Sequence, residues 1–249
     1  MFTKKITVMP SDVSCNGIIK LKSLLDFFQN TAALAVQNIE GTTTKLIARG
    51  YAWVLTRYEI SITGKLPSLD EKFLINTFHD PSHGYNTLRV FDVTTTQGNS
   101  IAWAKSSWLL LDLTTGRPVK PLAHLPEINS RDTQEINTDF YELNDFNYEK
   151  IVRNVEFPVR FHDLDYNSHV NNAAYFAWVF DECPVDLMTN ELKFIGASFR
   201  SGAKLGEKVT LNYSKAGENI FACRIFRENI KKPSAEFILE WQKIRSEKI

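Results

Sequence analysis

Three side chains capable of acid–base and hydrogen-bond chemistry stand at alternate positions in the second half of this 249-residue chain. They are the carboxylate of Asp165, the amide of Asn167 and the imidazole of His169. Alternate side chains of an extended segment point to one side, so this spacing predicts that the three groups converge. A helix predicted from His169 to Cys183 would add free backbone N–H groups and the positive end of its dipole, which suit a developing oxyanion.

The same residue types also have common structural uses. Asp163 or Asn167 would cap the predicted helix well, and a single histidine such as His169 is often a hydrogen-bonded core residue. The alternation and the adjacent Asn171-Asn172 pair favour chemistry over these uses. We therefore predict a site made of an acid, an amide and an imidazole.

This turn has a second copy near the start of the chain. Two seven-residue segments align without gaps, Asp12-Val-Ser-Cys-Asn-Gly-Ile18 and Asp163-Leu-Asp-Tyr-Asn-Ser-His169. The alignment predicts an internal duplication. The first copy has Ser14 and Ile18 where the second has the acid and the imidazole, so we predict that the chemistry is confined to the second half.

Hydrophobic periodicity predicts the elements that position this turn. Apolar residues from Leu21 to Ile39 recur at three- and four-residue spacing, which predicts a helix ending near Gly41. Alternating stretches predict antiparallel strands at 4–9, 51–62, 72–78, 85–95 and 101–113, and again at 152–161, 192–199, 208–213, 220–227 and 235–244. A helix with apolar residues on every face needs a sheet curved around it. The predicted fold class is α+β, a double hotdog of two tandem repeats, each with a long central helix wrapped by a curved antiparallel sheet.

The predicted domains are an N-terminal hotdog at 1–120, a linker at 121–150 and a C-terminal, catalytic hotdog at 151–249. The linker is polar, has prolines early and lacks a clear period. Its composition is typical of a connecting segment.

Composition excludes several classes of partner. Twenty-nine basic residues balance twenty-nine acidic ones, so no global field draws the chain to nucleic acid or an anionic membrane. No apolar run reaches the roughly 18 residues of a membrane span, so we expect no membrane insertion. The three cysteines lack the spacing of a zinc site or a disulfide framework, which predicts a cytoplasmic localisation.

The second-half motif, continued through Val170-Asn171-Asn172, resembles that of the acyl-acyl carrier protein thioesterases of plant plastids and their bacterial relatives. The resemblance extends over the first half through Phe28-Gln-Asn-Thr-Ala32, Trp53-Val-Leu-Thr-Arg57 and Ala104-Lys-Ser-Ser-Trp108. It implies hydrolysis of the fatty acyl thioester of acyl-acyl carrier protein, release of free fatty acid and an end to chain elongation. It also implies no metal and no organic cofactor.

Carried over residue by residue, the resemblance makes Asp165, Asn167 and His169 catalytic. The family's additional glutamate falls at Gly202, and the stretch 199–205 holds neither an acid nor a cysteine. This departure argues against a cysteine nucleophile and leaves attack by water or by Asp165 open. Ser201 and Glu207 are the nearest groups in sequence that could compensate, and we expect a glutamate at position 202 to raise turnover or leave it unchanged.

The resemblance also suggests how substrate is bound. Leu24, Leu25 and Phe28 would line the acyl chain and make the N-terminal hotdog the specificity domain, although the same periodicity fits plain core. The acidic carrier protein would meet a basic patch drawn from Arg200, Lys204, Lys208, Arg227, Lys231 and Lys232. Two internal hotdogs remove the need for a homodimer without forbidding one.

Three other functions compete with this one. Hotdog hydratases and dehydratases usually have proline in the slot of Ser168, and Val170-Asn171-Asn172 favours the thioesterases. A non-catalytic or weakly active acyl-thioester-binding protein would explain Gly202. An acyl-coenzyme A thioesterase would use the same chemistry on another carrier.

Overall fold

A computed structural model describes residues 1–37, 42–125, 137, 139–142 and 150–244 of the chain, without the side chains of 81–83. The chain forms two compact units, Met1–Phe140 and Tyr141–Ile249. No helix in the described ranges has both the length and the apolar character that crossing a membrane requires.

The first unit is an antiparallel sheet with one long helix. Its helices are α1 (Leu21–Ala35), α2 (Thr43–Ala48) and α3 (Pro121–His124). Its strands are β1 (Phe2–Thr7), β2 (Tyr51–Ile62), β3 (Lys72–His83), β4 (Asn86–Thr95), β5 (Ser100–Asp112) and β6 (Arg117–Val119). They lie in the order β1-β3-β4-β5-β2, with β6 beside β5.

The second unit repeats this arrangement. It contains α4 (Asn172–Asp181) and the strands β7 (Ile151–Pro158), β8 (Asn190–Phe199), β9 (Lys208–Lys215), β10 (Ile220–Arg227) and β11 (Ala235–Lys243). The strand order β7-β9-β10-β11-β8 is that of the first unit, position for position. The predicted duplication is therefore visible in the topology as well as in the sequence.

Each unit buries the apolar face of its long helix against its own sheet. In the first unit Phe28 of α1 is fully buried and stacks on Phe91 of β4, with ring centroids 4.7 Å apart. In the second, Phe176 of α4 meets Phe237 of β11 edge to face at 5.2 Å. Aromatic pairs of this geometry stabilise a core beyond the area that they bury.

The helices are shorter than periodicity predicts. α1 ends at Ala35, while Ile39 and Gly41 lie outside the described residues. α4 begins at Asn172 instead of His169, because the Asn171 side chain accepts a hydrogen bond from the Ala173 N–H at 2.8 Å and so caps the helix there. Apolar periodicity cannot locate a cap of this kind.

Strand bounds agree more closely with the sequence. β2 and β10 have the predicted limits of 51–62 and 220–227, and most other strands differ by one to five residues at an end. The predicted linker at 121–150 begins with α3, whose first residue is proline. Neither α2 nor β6 was predicted, because each is too short to establish a period.

Candidate active site

The three predicted catalytic residues lie on a tight hairpin between β7 and α4. An antiparallel bridge joins Leu164 to Val170, and within it the Asp165 N–H donates to the His169 carbonyl oxygen at 2.8 Å. Ser168 turns the chain with a φ of 60°. The predicted extended segment is therefore wrong, and a reversal of the chain brings the residues together instead.

A chain of hydrogen bonds links the three residues. Asp165 Oδ1 accepts from the Asn167 backbone N–H at 2.8 Å, and Oδ2 lies 3.4 Å from the amide Nδ2 of Asn167. The carbonyl oxygen of Asn167 is in turn 2.9 Å from Nδ1 of His169. A carbonyl oxygen can only accept, so Nδ1 carries a proton, and the neutral form of this imidazole has its lone pair on Nε2.

Exposure separates two of the three predicted catalytic residues from Asp163. His169 and Asn167 are exposed and Asp165 is half-buried, so His169 is not a core histidine. Asp163 has the structural role instead, because its carboxylate accepts from the Arg160 N–H at 2.7 Å and from the Trp178 indole at 3.3 Å. Neither Asp163 nor Asn167 caps α4, since Asn171 does so.

The first unit has the same hairpin without the chemical groups. Two backbone hydrogen bonds are the same in both units. Ser14 N–H donates to the Ile18 carbonyl oxygen at 2.9 Å, as Asp165 N–H does to that of His169 at 2.8 Å. Lys20 N–H donates to the Asp12 carbonyl oxygen at 2.8 Å, as Asn171 N–H does to that of Asp163 at 2.8 Å. Gly17, with a φ of 76°, occupies the place of Ser168. The backbone is duplicated, and only the second copy has the acid and the imidazole.

Gly202 lies directly against the His169 side chain. The Val170 N–H donates to the Ala203 carbonyl oxygen at 2.9 Å, which brings the segment after β8 beside the hairpin. A Cβ built on Gly202 would lie 3.1 Å from Cδ2 of His169. Residue spacing does not predict this contact, because the two residues belong to different elements, but the resemblance that aligns the family's additional glutamate with Gly202 had singled out the position.

Glu207 forms a structural ion pair. Its carboxylate accepts two bonds from the Arg227 guanidinium, each 2.8 Å long, and one from the Lys204 N–H at 3.2 Å. The hydrogen bond from Arg227 holds the pKa of Glu207 below its usual range. Glu71 of the first unit accepts from the Ser68 N–H in the same way at 2.8 Å, so this glutamate belongs to a repeated turn.

Two family models cover nearly the whole described chain. The acyl-ACP thioesterase N-terminal domain matches residues 1–128 and the acyl-ACP thioesterase C-terminal domain matches residues 148–243. The chain belongs to the acyl-ACP thioesterase family. The predicted family is thereby confirmed.

Curated members of this family align with most of the chain. The palmitoyl-acyl carrier protein thioesterase of Arabidopsis thaliana is 24% identical over 80% of this chain and 52% of its own length. Oleoyl-acyl carrier protein thioesterase 2 of the same plant is 27% identical over 80% of this chain and 59% of its own length. The chain thus spans little more than half the length of these relatives.

Two solved structures establish the fold. The 12:0-ACP thioesterase from Umbellularia californica has a TM-score of 0.86 at 18% identity and covers 98% of this chain and 97% of its own. An acyl-ACP thioesterase from Bacteroides thetaiotaomicron has a TM-score of 0.84 at 20% identity, with coverages of 96% and 97%. The predicted α+β hotdog fold is confirmed.

The three residues predicted to contact the acyl chain are buried in the first unit. Leu24, Leu25 and Phe28 are at most 1% exposed. By their sequence pattern these side chains could either pack in the core or line the acyl chain. Their burial is compatible with both alternatives.

The predicted basic patch divides into cations held in ion pairs and exposed lysines. Arg200 binds Glu236 at 2.8 Å and Lys208 binds Glu156 at 3.3 Å, while Arg227 is occupied by Glu207. Three other members of the patch, Lys204, Lys231 and Lys232, are exposed. An acidic partner would meet these last three most readily.

Two of the three cysteines, Cys183 and Cys223, are buried. Burial raises the pKa of Cys183 to about 12 and also raises that of the fully buried Cys223. A buried thiol with a raised pKa is seldom ionised and is therefore unreactive.

Proposed function

We propose that the chain is a thiolester hydrolase that cleaves the fatty acyl thioester of acyl-acyl carrier protein, releases free fatty acid and so ends chain elongation. The observation that carries the proposal is the bond between His169 Nδ1 and the Asn167 carbonyl oxygen. In a member of the acyl-ACP thioesterase family, this bond presents Nε2 as a proton acceptor on an exposed hairpin.

In this mechanism His169 is the general base for an attacking water. Nε2 takes a proton as the water oxygen bonds to the thioester carbonyl carbon. The tetrahedral intermediate then collapses, the C–S bond breaks, and the imidazolium returns the proton to the leaving thiolate. Proton transfer by a positioned side chain contributes roughly 10²- to 10⁴-fold to the rate.

Asn167 and Asp165 hold the base in place. Asp165 uses both carboxylate oxygens toward Asn167, which shapes the turn whose carbonyl oxygen orients the imidazole. An engaged carboxylate is a weaker nucleophile than a free one, and this favours water over Asp165 as the attacking group. The exposed Asn167 amide is then available to hold the water or the thioester oxygen.

Substrate recognition extends the proposal to both units. Leu24, Leu25 and Phe28 would set the acyl chain length, which makes the N-terminal hotdog of 1–120 the specificity domain and that of 151–249 the catalytic one. Acyl carrier protein would be met by exposed lysines among the predicted basic residues. A homodimer and a cytoplasmic location belong to the same proposal, whereas the plant relatives are named as chloroplastic.

A second candidate function is non-catalytic or weak binding of acyl thioesters, which Gly202 favours because the expected acid is absent there. An acyl-coenzyme A thioesterase is the other alternative. A colorimetric assay of thiol release, run across chain lengths on acyl carrier protein and on coenzyme A, separates all three. Release from the carrier protein is the expected result, and release from coenzyme A alone would overturn the substrate assignment.

A further inference from the structure

The absence of a side chain at position 202 has a direct structural effect on the imidazole. A Cβ there would lie 3.1 Å from Cδ2, 3.3 Å from Cβ and 3.4 Å from Cγ of His169. The two shorter separations are below normal carbon–carbon van der Waals contact. In this chain a side chain at 202 would therefore push the imidazole by a few tenths of an ångström from its present position.

The segment that presents Gly202 is fastened on both sides, so it cannot retreat easily from a larger residue. Before it, the Arg200 N–H donates to the Ser234 carbonyl oxygen at 2.8 Å, and the Arg200 guanidinium binds Glu236. After it, the Ala203 N–H donates to the hydroxyl of the buried Tyr175 at 2.9 Å. A side chain at 202 would thus displace the exposed imidazole before it displaced the backbone.

The position of the first unit that corresponds to Gly202 holds a different residue. Ile19 donates to the Pro67 carbonyl oxygen at 2.9 Å, as Val170 does to that of Ala203. By this correspondence Leu66 takes the place of Gly202, and Ile18 takes the place of His169. The unit without the chemical groups has two large apolar residues there, whereas the unit with them has histidine and glycine.

We infer that Gly202 is a positioning residue that holds the His169 ring in the orientation in which Nδ1 donates to Asn167 and Nε2 is free. Its effect on turnover rests on the proposed function, but its effect on the ring does not. The inference also reverses the expectation for a glutamate at 202. Such a residue would crowd the imidazole, so Gly202→Glu lowers turnover instead of raising it.

The test compares substitutions at two crowded glycines. Gly202→Ala and Gly202→Leu add side chains against His169, and leucine suits this backbone because Leu66 occupies it in the first unit. Gly217→Ala is the matched control, because its new Cβ would approach Ile220 at 3.3 Å in the same unit and away from the hairpin. We expect kcat on an acyl-carrier substrate to fall on the order of 10-fold for Gly202→Ala and 10²-fold for Gly202→Leu, with KM little changed and Gly217→Ala like wild type.

A second readout follows the ring itself. Nitrogen-15 NMR distinguishes a protonated from an unprotonated imidazole nitrogen, and the His169→Gln spectrum identifies this residue among the five histidines. Wild type and Gly217→Ala should show protonated Nδ1 and free Nε2, and Gly202→Leu should lose this preference. A folded Gly202→Leu variant with the wild-type nitrogen pattern would overturn the inference. If the wild-type chain releases no thiol from any acyl thioester, the proposed function fails, while the NMR comparison still decides the role of Gly202.

Discussion

The imidazole of His169 donates through Nδ1 to the carbonyl oxygen of Asn167, 2.9 Å away, two residues earlier on the same hairpin. This short-range bond fixes the tautomer without a carboxylate partner on Nδ1. Asp165 acts indirectly, because its carboxylate accepts from the Asn167 N–H and so shapes the turn that positions the Asn167 carbonyl. The three residues therefore form a series of hydrogen bonds that ends at the imidazole and leaves the lone pair to Nε2.

Replacing His169 with glutamine should abolish thiol release and leave the fold intact. The side chain is exposed, so its loss removes little packing, whereas loss of the base costs roughly 10²- to 10⁴-fold in kcat. His162→Gln is the matched control, since His162 is also exposed and lies on the same connection. Steady-state thiol release and a thermal unfolding curve measure the two effects. Near-normal turnover in His169→Gln would remove His169 from the mechanism.

Asp165→Asn should keep the hairpin and reduce turnover. An asparagine oxygen can still accept from the Asn167 N–H, so the turn persists, but the negative charge beside the site is lost. We expect a reduced kcat with substantial activity remaining if water attacks. A complete loss in a folded variant, together with a trapped acyl-enzyme in wild type, would make Asp165 the nucleophile. Mass spectrometry of protein quenched during turnover makes that comparison.

The sequence predicted those parts of the site that are local. Alternation and the ungapped repeat predicted that Asp165, Asn167 and His169 lie together, and they do, because neighbours along a hairpin stay close in space. The start of α4 was misplaced because a cap at Asn171 overrides apolar periodicity. The contact of Gly202 with His169 depends on the packing of one segment against another, so residue spacing does not predict it, and only the family resemblance had singled out position 202.

The surroundings of Glu207 also could not be predicted from the sequence, because they depend on a turn of the chain. An extended strand after Gly202 would carry it far from the hairpin, but the chain turns at 204–207, where Gly206 has a φ of 78°. Its partner Arg227 ends β10 and was predicted only as part of a basic patch. Pairing between strands, not composition, decides which cations of that patch form ion pairs.

Glu207→Gln should lower stability in a pH-dependent manner and keep most of the turnover. The folded-state pKa of Glu207 is depressed by its bond to Arg227, so its contribution is present above the unfolded pKa and is lost as the pH falls through the folded value. We expect a free-energy difference of about 1 kcal/mol or less from wild type at neutral pH. Urea unfolding between pH 7 and pH 3 should show the difference shrinking at the acidic end. A strong loss of hydrolysis in the folded variant would instead assign Glu207 the role of the missing acid.

Lys105→Met should lower the free energy of unfolding of the first unit far more than the loss of an exposed lysine would. The ammonium is buried 3.3 Å from Glu59 and lies 4.6 Å from the centre of the Phe140 ring. It also donates to the carbonyl oxygen of Asp139. Removing one partner of a buried ion pair costs about 3 to 5 kcal/mol.

The control for that substitution is Lys22→Met. Lys22 pairs with Asp26 one turn along α1, and both side chains are well exposed, so its loss should cost less than about 1 kcal/mol. Denaturant unfolding at neutral pH compares the two variants. Equal costs would mean that the buried pair contributes no more than a surface pair.

Shortening Leu24 or Phe28 should shift the preferred acyl chain length if these residues line the bound chain. Both are fully buried in the first unit. Each methylene of substrate that gains or loses apolar contact changes binding by about 0.8 kcal/mol, so Leu24→Ala and Phe28→Leu should favour longer chains. The measurement is kcat/KM across a series of acyl-carrier substrates, with stability recorded for each variant.

Leu211→Ala provides the control, because Leu211 is equally buried but belongs to the second unit. A large-to-small change in a core costs about 2 to 5 kcal/mol wherever it is made, so both kinds of variant should lose stability. Only the first-unit variants should change the order of preference among chain lengths. If Leu24→Ala lowers activity on every chain length by the same factor, as Leu211→Ala should, then the face of α1 is core alone. Other residues must in that case set the preferred acyl chain length.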